Sequence, residues 1–529
     1  MFKNQTETSR IVNLLLLAVC IVLCSFYLVR AFVFYDFPAE YRDGAVLQVV
    51  QDLSKGINPY ALDYLSTDEA PRVVLDSGFL NVFPALLLVR VFGLSPAPAL
   101  YIMGFIYLAA SMVLIGVITK KLTGDLTLSL YSAILLFFCL RRWGLLCVRP
   151  DTLAETLMLI LILSIVENRV SYADTVLRAF FLVLIVYLKP HYALIGLMVF
   201  FFEMKNRKLL TFLLSGSILF AGSVLIVNAV FPTHLSVWGI RLYEMFTGVG
   251  GGSAGFIYAL DKWKRLFVMF FPVFLLTLWG GLRHTILFFT DKAHFYAEVS
   301  ENNLSYVWVN IIVNALALTY LGRHDGADLW YFYFMLIPSM ILIAMYNLHG
   351  IMQTSGNWML ILVIFSLCCF AGLFTTALSL SPRPKYIRRW EESQGKAYAL
   401  LDRYRSEDMI LSSPLAYYGT MNGIYNFNHG DLCYLPVTRA DSGILKLLFP
   451  YVNEFEDKYK DYALMVLEKL RNREYSLVTI DSIDTPFEIF GKEDEFRSLL
   501  EENYDLADEF EVFVEAQGME TYFYIPKKE

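Results

Sequence analysis

The chain reads as a polytopic α-helical membrane protein of about eleven transmembrane helices, followed by a C-terminal extracytoplasmic α/β domain. Three observations predict this. Of 529 residues, 57% are hydrophobic and only 18% charged, and the mean hydropathy is +0.51, above the balance of a soluble domain of this size. The apolar stretches run to about 20 residues, the length a helix needs to cross a hydrocarbon core of about 30 Å, and segments this long favour helices over barrel strands. From about residue 384 the composition changes to an even mixture of polar and apolar residues, as in a domain with its own core.

Taken in order, the predicted spans are 11–33, 97–118, 127–147, 152–167, 174–188, 191–204, 209–231, 264–286, 304–321, 330–347 and 356–379, each ended by charge, Pro or Gly. The segment 77–94 could cross as a further helix or lie along the interface. Charge decides. If it does not cross, Lys120, Lys121, Arg169, Lys205, Arg207, Lys208, Arg283 and Lys292 fall on the same side as Lys3 and Arg10, which the positive-inside rule makes cytoplasmic. The N-terminus is then inside, in the cytoplasmic (inner) membrane, with loop 34–96 and the tail outside. Arg241, Lys262, Lys264, Arg265, Arg388 and Arg389 are external in that arrangement, against the trend. Residues 11–33 are too long for a signal peptide and lack a small-residue cleavage site, so they are expected to remain as the first helix.

The division expected is 1–383 for the membrane domain and 384–529 for the tail. In the tail, Met409, Ile410 and Leu411 and the run 476–480 read as buried strands, 458–472 and 492–503 carry helical apolar spacing, and 511–514 with 521–525 read as a closing hairpin. The tail has no Gly-rich phosphate loop after its first strand and no nucleophile elbow. Its expected task is to scaffold or to touch substrate. Five of the seven cysteines (Cys20, Cys24, Cys139, Cys368 and Cys369) lie in apolar spans, Cys147 borders one and Cys433 is in the tail, so no disulfide framework or CxxC metal pair is present. The net charge of −7 comes largely from the tail, and no basic nucleic-acid footprint exists.

Ionisable groups at membrane depth cost about 2.5–3.5 kcal/mol each on insertion scales, so those present mark function by default. They recur on one side: Arg42 and Asp43 after the first span, Arg149 and Asp151 around Pro150, Lys189 and His191 around Pro190, and Arg323, His324 and Asp325. Glu155 lies one turn beyond Asp151, on the same face if a helix starts there. A helix start alone would also favour Pro150 and Asp151, and a lysine at a helix end also serves as a snorkelling anchor.

A carboxylate just after the first span, then an amphipathic stretch and the turn Gly56-Ile57-Asn58-Pro59-Tyr60, resembles the first external loop of the GT-C superfamily of polyprenyl-phosphate-sugar-dependent integral membrane glycosyltransferases. These are relatives of the protein O-mannosyltransferases and the aminoarabinose transferases. The likeness covers roughly residues 1–380. Arg149-Pro150-Asp151 fits the second external carboxylate of that superfamily, and Lys189-Pro190 its Lys-Pro turn. The run from Gly322 to Phe332 resembles its Gly-x-x-x-Asn-Tyr-Phe segment, but Trp330 stands where Asn would.

The resemblance implies a sugar donor carried on a polyprenyl phosphate, with a lipid, glycan or protein as acceptor. It also implies Asp43 as general base and Asp151 as second catalytic carboxylate. Arg149, Lys189 and Arg323 would hold phosphate, assisted by His191, with Tyr60 and Glu155 on the substrate side. A single displacement would invert the anomeric centre. A divalent cation (Mg or Mn) between Asp43 and Asp151 is compatible, although no His/Cys cluster demands one. Loop 232–262, with His234, Trp238 and glycines from Gly248 to Gly255, is expected to act as a lid.

Two rival readings remain open at this level. A transporter would use the same charges, but should show an internal repeat. A lipid-linked glycan polymerase or ligase would concentrate its basic residues in one late loop.

Overall fold

The computed structural model describes residues 2–33, 43–64, 79–141, 150–247, 255–293, 303–323, 330–355, 360–369, 384–424, 426–429, 447–481, 493–514 and 517–528. The membrane domain contains α1 (Phe2–Val33), α2 (Asp43–Lys55), α3 (Val82–Phe92), α4 (Pro96–Thr123), α5 (Leu126–Arg141), α6 (Asp151–Val166) and α7 (Tyr172–Leu188). It continues through α8 (Gly196–Lys205), α9 (Leu209–Val230), α10 (Pro232–Thr247), α11 (Phe256–Met269), α12 (Phe271–Thr290), α13 (Leu304–Leu321), α14 (Trp330–Ser355) and α15 (Leu360–Cys369). Among the described residues, five of these are long and apolar enough to cross a membrane: α4, α9, α12, α13 and most of α14. The polytopic helical class is therefore observed. Helix α14 is central, with 78% of its apolar window buried against 17% for the peripheral α9.

Local chemistry sets the ends. Helix α4 begins with Pro96 at its first turn and ends at Gly124, whose φ of +71° no β-carbon hinders. Helix α7 opens with a capping box: Ser171 Oγ accepts from the Asp174 N–H at 3.1 Å while Asp174 accepts from the Ser171 N–H at 3.1 Å.

Polar contacts define two ends of the bundle. At one, Thr127 Oγ1 donates to Asn13 Oδ1 at 2.9 Å, Lys121 pairs with Glu167 at 2.7 Å, and buried Arg178 pairs with Glu203 at 2.6 Å. There too, Asn303 Nδ2 donates to the Ile165 carbonyl at 2.9 Å. The opposite end gathers the start of α6, the end of α7, the α9/α10 corner, α11 and the end of α13. In that region Asn58 Nδ2 donates to the Val230 carbonyl at 2.8 Å, Lys262 Nζ to the Gly322 carbonyl at 2.9 Å, and Trp263 Nε1 to Thr319 Oγ1 at 3.0 Å.

Three sequence expectations are corrected. The span 264–286 is two helices: amphipathic α11 ends at Phe270, and Pro272 stands in the first turn of α12. The span 191–204 starts as a 3-10 turn, Pro190–Ile195, because Pro190 cannot continue α7 with an N–H. Loop 232–262 is largely helical, as α10 and α11, and its glycines 248–254 lie outside the described residues. Segment 77–94 contributes α3, whose 11 residues reach only about 16 Å at 1.5 Å per residue, too short to cross.

The tail contains α16 (Pro384–Arg403), β1 (Met409–Leu411), α17 (Ser413–Met421), β2 (Phe427–His429), α18 (Val452–Arg471), β3 (Leu477–Asp481), α19 (Glu493–Asn503), β4 (Tyr504–Val514) and β5 (Gln517–Pro526). Its sheet has the order β2-β1-β3-β5-β4. Strands β2, β1 and β3 are parallel, and β5 and β4 close it as an antiparallel hairpin. The strands read from sequence are present, and the hairpin extends further on both sides. Leu411, Leu415, Ile424, Leu477 and Phe523 share a small core under the sheet.

Candidate active site

Asp151 is the first residue of α6 and Lys189 follows the last residue of α7, so two neighbouring helices bring acid and base to one end of the bundle. Lys189 Nζ lies 2.8 Å from Asp151 Oδ1 and 3.0 Å from Oδ2, and their side chains are 10% and 1% exposed. The 3-10 turn after Pro190 carries Tyr192 back over the pair. Its hydroxyl donates to Asp151 Oδ1, and the ammonium stands 5.8 Å from its ring centroid. A carboxylate without this company would pay a desolvation cost of several kcal/mol. The His191 ring meets that of Tyr192 edge-on at 4.4 Å.

Glu155 points into the same region one turn further along α6. It is fully buried, and neither carboxyl oxygen has a hydrogen-bond partner among the described residues. Buried polar groups are rarely left so. Arg323 closes α13 at this end of the bundle. Its guanidinium stacks on Tyr320 at 4.2 Å, its carbonyl accepts from the Gly255 N–H at 2.8 Å, and its buried Nε has no hydrogen-bond partner among the described residues.

Tyr60 occupies a different part of this end. Gly56, at φ +85°, turns the chain out of α2, and Asn58 Oδ1 accepts from the Tyr60 N–H at 3.0 Å. The buried Tyr60 ring meets Phe231 and His234 edge-on, each at 5.4 Å, and its carbonyl accepts from the Thr233 N–H at 3.0 Å. It therefore ties the first loop to the α9/α10 corner. Burial pulls the His234 imidazole down to about 3. Asp43 is the first residue of α2, where the helix dipole favours a carboxylate; its side chain and all of Arg149 lie outside the described residues.

The structure thus joins Asp151 and Lys189, for which the sequence implied separate tasks, and adds Tyr192, which no spacing singled out. Among the described residues, no group of three or more His, Cys, Asp or Glu side chains could hold a metal ion. Asp151 is paired with the Lys189 ammonium, and the Asp43 side chain, the other carboxylate expected beside a cation, lies outside the described residues, so no chemical step is assigned to a divalent ion.

No protein-family model matches the chain, and no curated protein matches it by sequence. Solved structures do match. ArnT from Cupriavidus metallidurans bound to undecaprenyl phosphate aligns at a TM-score of 0.55 and 10% identity, over 96% of this chain and 97% of its own. The archaeal oligosaccharyltransferase AglB from Archaeoglobus fulgidus, in complex with an inhibitory peptide and a dolichol-phosphate, aligns at a TM-score of 0.51 and 11% identity, over 88% of this chain and 69% of its own. The apo form of the Archaeoglobus fulgidus enzyme gives 0.50 with the same coverage. At such identity the shared property is the fold: this chain is an integral membrane protein with the GT-C fold.

Proposed function

We propose that the protein is a glycosyltransferase that moves a monosaccharide from a polyprenyl-phosphate-linked donor to an extracytoplasmic lipid, glycan or protein acceptor, with inversion. The observation that carries this reading is the Asp151–Lys189–Tyr192 cluster, buried in an apolar bundle beside Glu155, whose carboxyl has no hydrogen-bond partner among the described residues. The structures that share the fold support it, because they hold undecaprenyl phosphate in one case and a dolichol-phosphate in another.

In this reading the Asp43 carboxylate takes the proton of the acceptor hydroxyl as that oxygen bonds to the anomeric carbon. The bond from this carbon to the phosphate oxygen breaks, and the polyprenyl phosphate leaves with the electron pair. Lys189, Arg323 and Arg149 meet the charge that develops on the leaving oxygen, with His191 as a further donor. Asp151 and Tyr192 hold the Lys189 ammonium in place, so little reorganisation is needed at the moment of transfer. Glu155 engages a sugar hydroxyl, and Tyr60 fixes the wall formed by the first loop. One displacement from the opposite face inverts the centre.

The membrane domain, 1–383, carries this chemistry, and the tail, 384–529, stands outside. The end opposite the cluster carries Lys121, Arg169 and Lys205 near its termini. That concentration supports a cytoplasmic placement of that end and of the N-terminus, in the inner membrane.

The test is transfer of radiolabelled sugar from a panel of polyprenyl-phosphate sugars, in membranes holding wild type or Asp43→Asn at matched expression. Transfer by the wild type that drops at least about a hundredfold in Asp43→Asn is expected for a lost general base. Transfer that survives the substitution removes Asp43 from the mechanism, and no transfer from any donor overturns the reading.

A further inference from the structure

The buried face of α2 carries polar side chains that bond to one another and to the tail. Gln48 and Asp52, one turn apart, are 0% and 1% exposed. Gln48 Nε2 donates to Asp52 Oδ1 at 2.6 Å, and the Tyr64 hydroxyl donates to Asp52 Oδ2 at 2.8 Å. From the tail, Thr420 Oγ1 on α17 donates to Gln48 Oε1 at 2.8 Å, and Thr420 is itself 1% exposed. The three bonds form a chain with one polarity: Thr420 to Gln48, Gln48 to Asp52, Tyr64 to Asp52. As a carboxylate, Asp52 accepts from both of its neighbours. Burial pushes this carboxyl up to about 7, and the bonds from Tyr64 and Gln48, with the charge of Lys55, oppose that push. Close by, Arg90 Nη2 on α3 donates to the Leu53 carbonyl at 2.6 Å.

Three separate parts of the chain therefore meet on α2: the loop after it, the short helix α3, and the tail 372 residues away in sequence. A plain core contact would need none of this polarity, since apolar residues of the same shape stabilise as well or better. Directional bonds fix a helix in rotation and register, and the first residue of this helix is Asp43.

We propose that Asp52, together with Gln48, Tyr64 and Thr420, is a positioning device through which the tail and the first loop set α2, and hence Asp43, in the register for transfer. The inference rests on the reading of Asp43 as the base. It gives the tail a part in the reaction without touching the reacting atoms.

The experiment uses the full-length protein in detergent or nanodiscs and near-isosteric variants: Thr420→Val, Tyr64→Phe and Asp52→Asn, with Thr420→Ser as the conservative control. Hydrogen exchange of the α2 amides is measured first, because it needs no substrate. Exchange about tenfold faster in Thr420→Val and Tyr64→Phe, confined to α2 and its contacts and restored by Thr420→Ser, is the expected result. Unchanged exchange overturns the inference.

Transfer kinetics follow. A kcat lowered about tenfold with KM for the donor nearly unchanged is expected, and no further loss when Thr420→Val is added to the residual activity of Asp43→Asn. A loss that multiplies with that of Asp43→Asn, or that tracks a fall in unfolding temperature, overturns it. So does faster exchange with unaltered transfer. If Asp43→Asn transfers normally while Thr420→Val does not, the base assignment has failed instead.

Discussion

Lysine and aspartate buried side by side in an apolar bundle are each costly without the other. The Lys189 and Asp151 side chains are 10% and 1% exposed, so Lys189→Met takes the paired ammonium from a buried carboxylate that keeps its bond from Tyr192. Removing one member of a buried pair costs about 3–5 kcal/mol, whereas replacing both by neutral groups is often close to neutral. Lys189→Met should therefore lower the unfolding temperature in detergent sharply, and Lys189→Met with Asp151→Asn should recover most of the loss. If Lys189 holds phosphate, transfer stays lost in the recovered double variant; recovery of transfer with stability would leave the lysine a purely structural task. These residues could be picked out of the sequence because charge is rare in apolar surroundings, and Asp151, Glu155, Lys189, His191 and Arg323 stood out for that reason. Their pairing could not. Positions 38 residues apart meet only once two helices have packed, and the turn of Tyr192 toward Asp151 depends on the 3-10 geometry after Pro190.

At the scale of elements, the central helix contains a proline that a neighbour braces. Pro338 interrupts the hydrogen-bond ladder of α14. Asn310 of α13, fully buried, donates from Nδ2 to the Met335 carbonyl at 3.2 Å and to Ser339 Oγ at 2.9 Å, on either side of that proline. Asn314 in turn donates to Asn310 Oδ1 at 2.9 Å. Interhelical bonds in membranes contribute about 0.6 kcal/mol each on average, so Asn310→Ala, which removes two of them, should cost about 1 kcal/mol. Reversible unfolding in mixed detergent reads this directly, and an unchanged midpoint would mean the bonds are exchanged for others in the unfolded state. Most helices were legible because length and hydropathy alone define them. The break at Phe270 was not, since apolar residues continue through it and only Pro272 marks the new start. The amphipathic α11 before it carries Lys262, Lys264 and Arg265 within one helix, a pattern that blends into the following span when hydropathy is averaged.

For the molecule as a whole, the question is how firmly the tail is seated on the bundle. Its strands and core were readable from alternation and β-branched content, but its seat was not, because the contacting residues come from four distant segments. One is the Thr420–Gln48 bond. Another is Gly239 on α10, where a β-carbon would come within 2.7 Å of the Phe449 ring from the tail. A side chain there must displace an aromatic that is 4% exposed, and the tail retains a separate core of its own under the sheet. Gly239→Leu should therefore loosen the seat without unfolding the tail: amides of α18 exchange about tenfold faster while those of β1 and β3 are unaffected. If the strand amides also speed up, the tail owes its folding to the bundle and is not an independent domain. If neither changes, α10 and the tail have room to re-pack, and the close approach of Gly239 to Phe449 does not limit the seat.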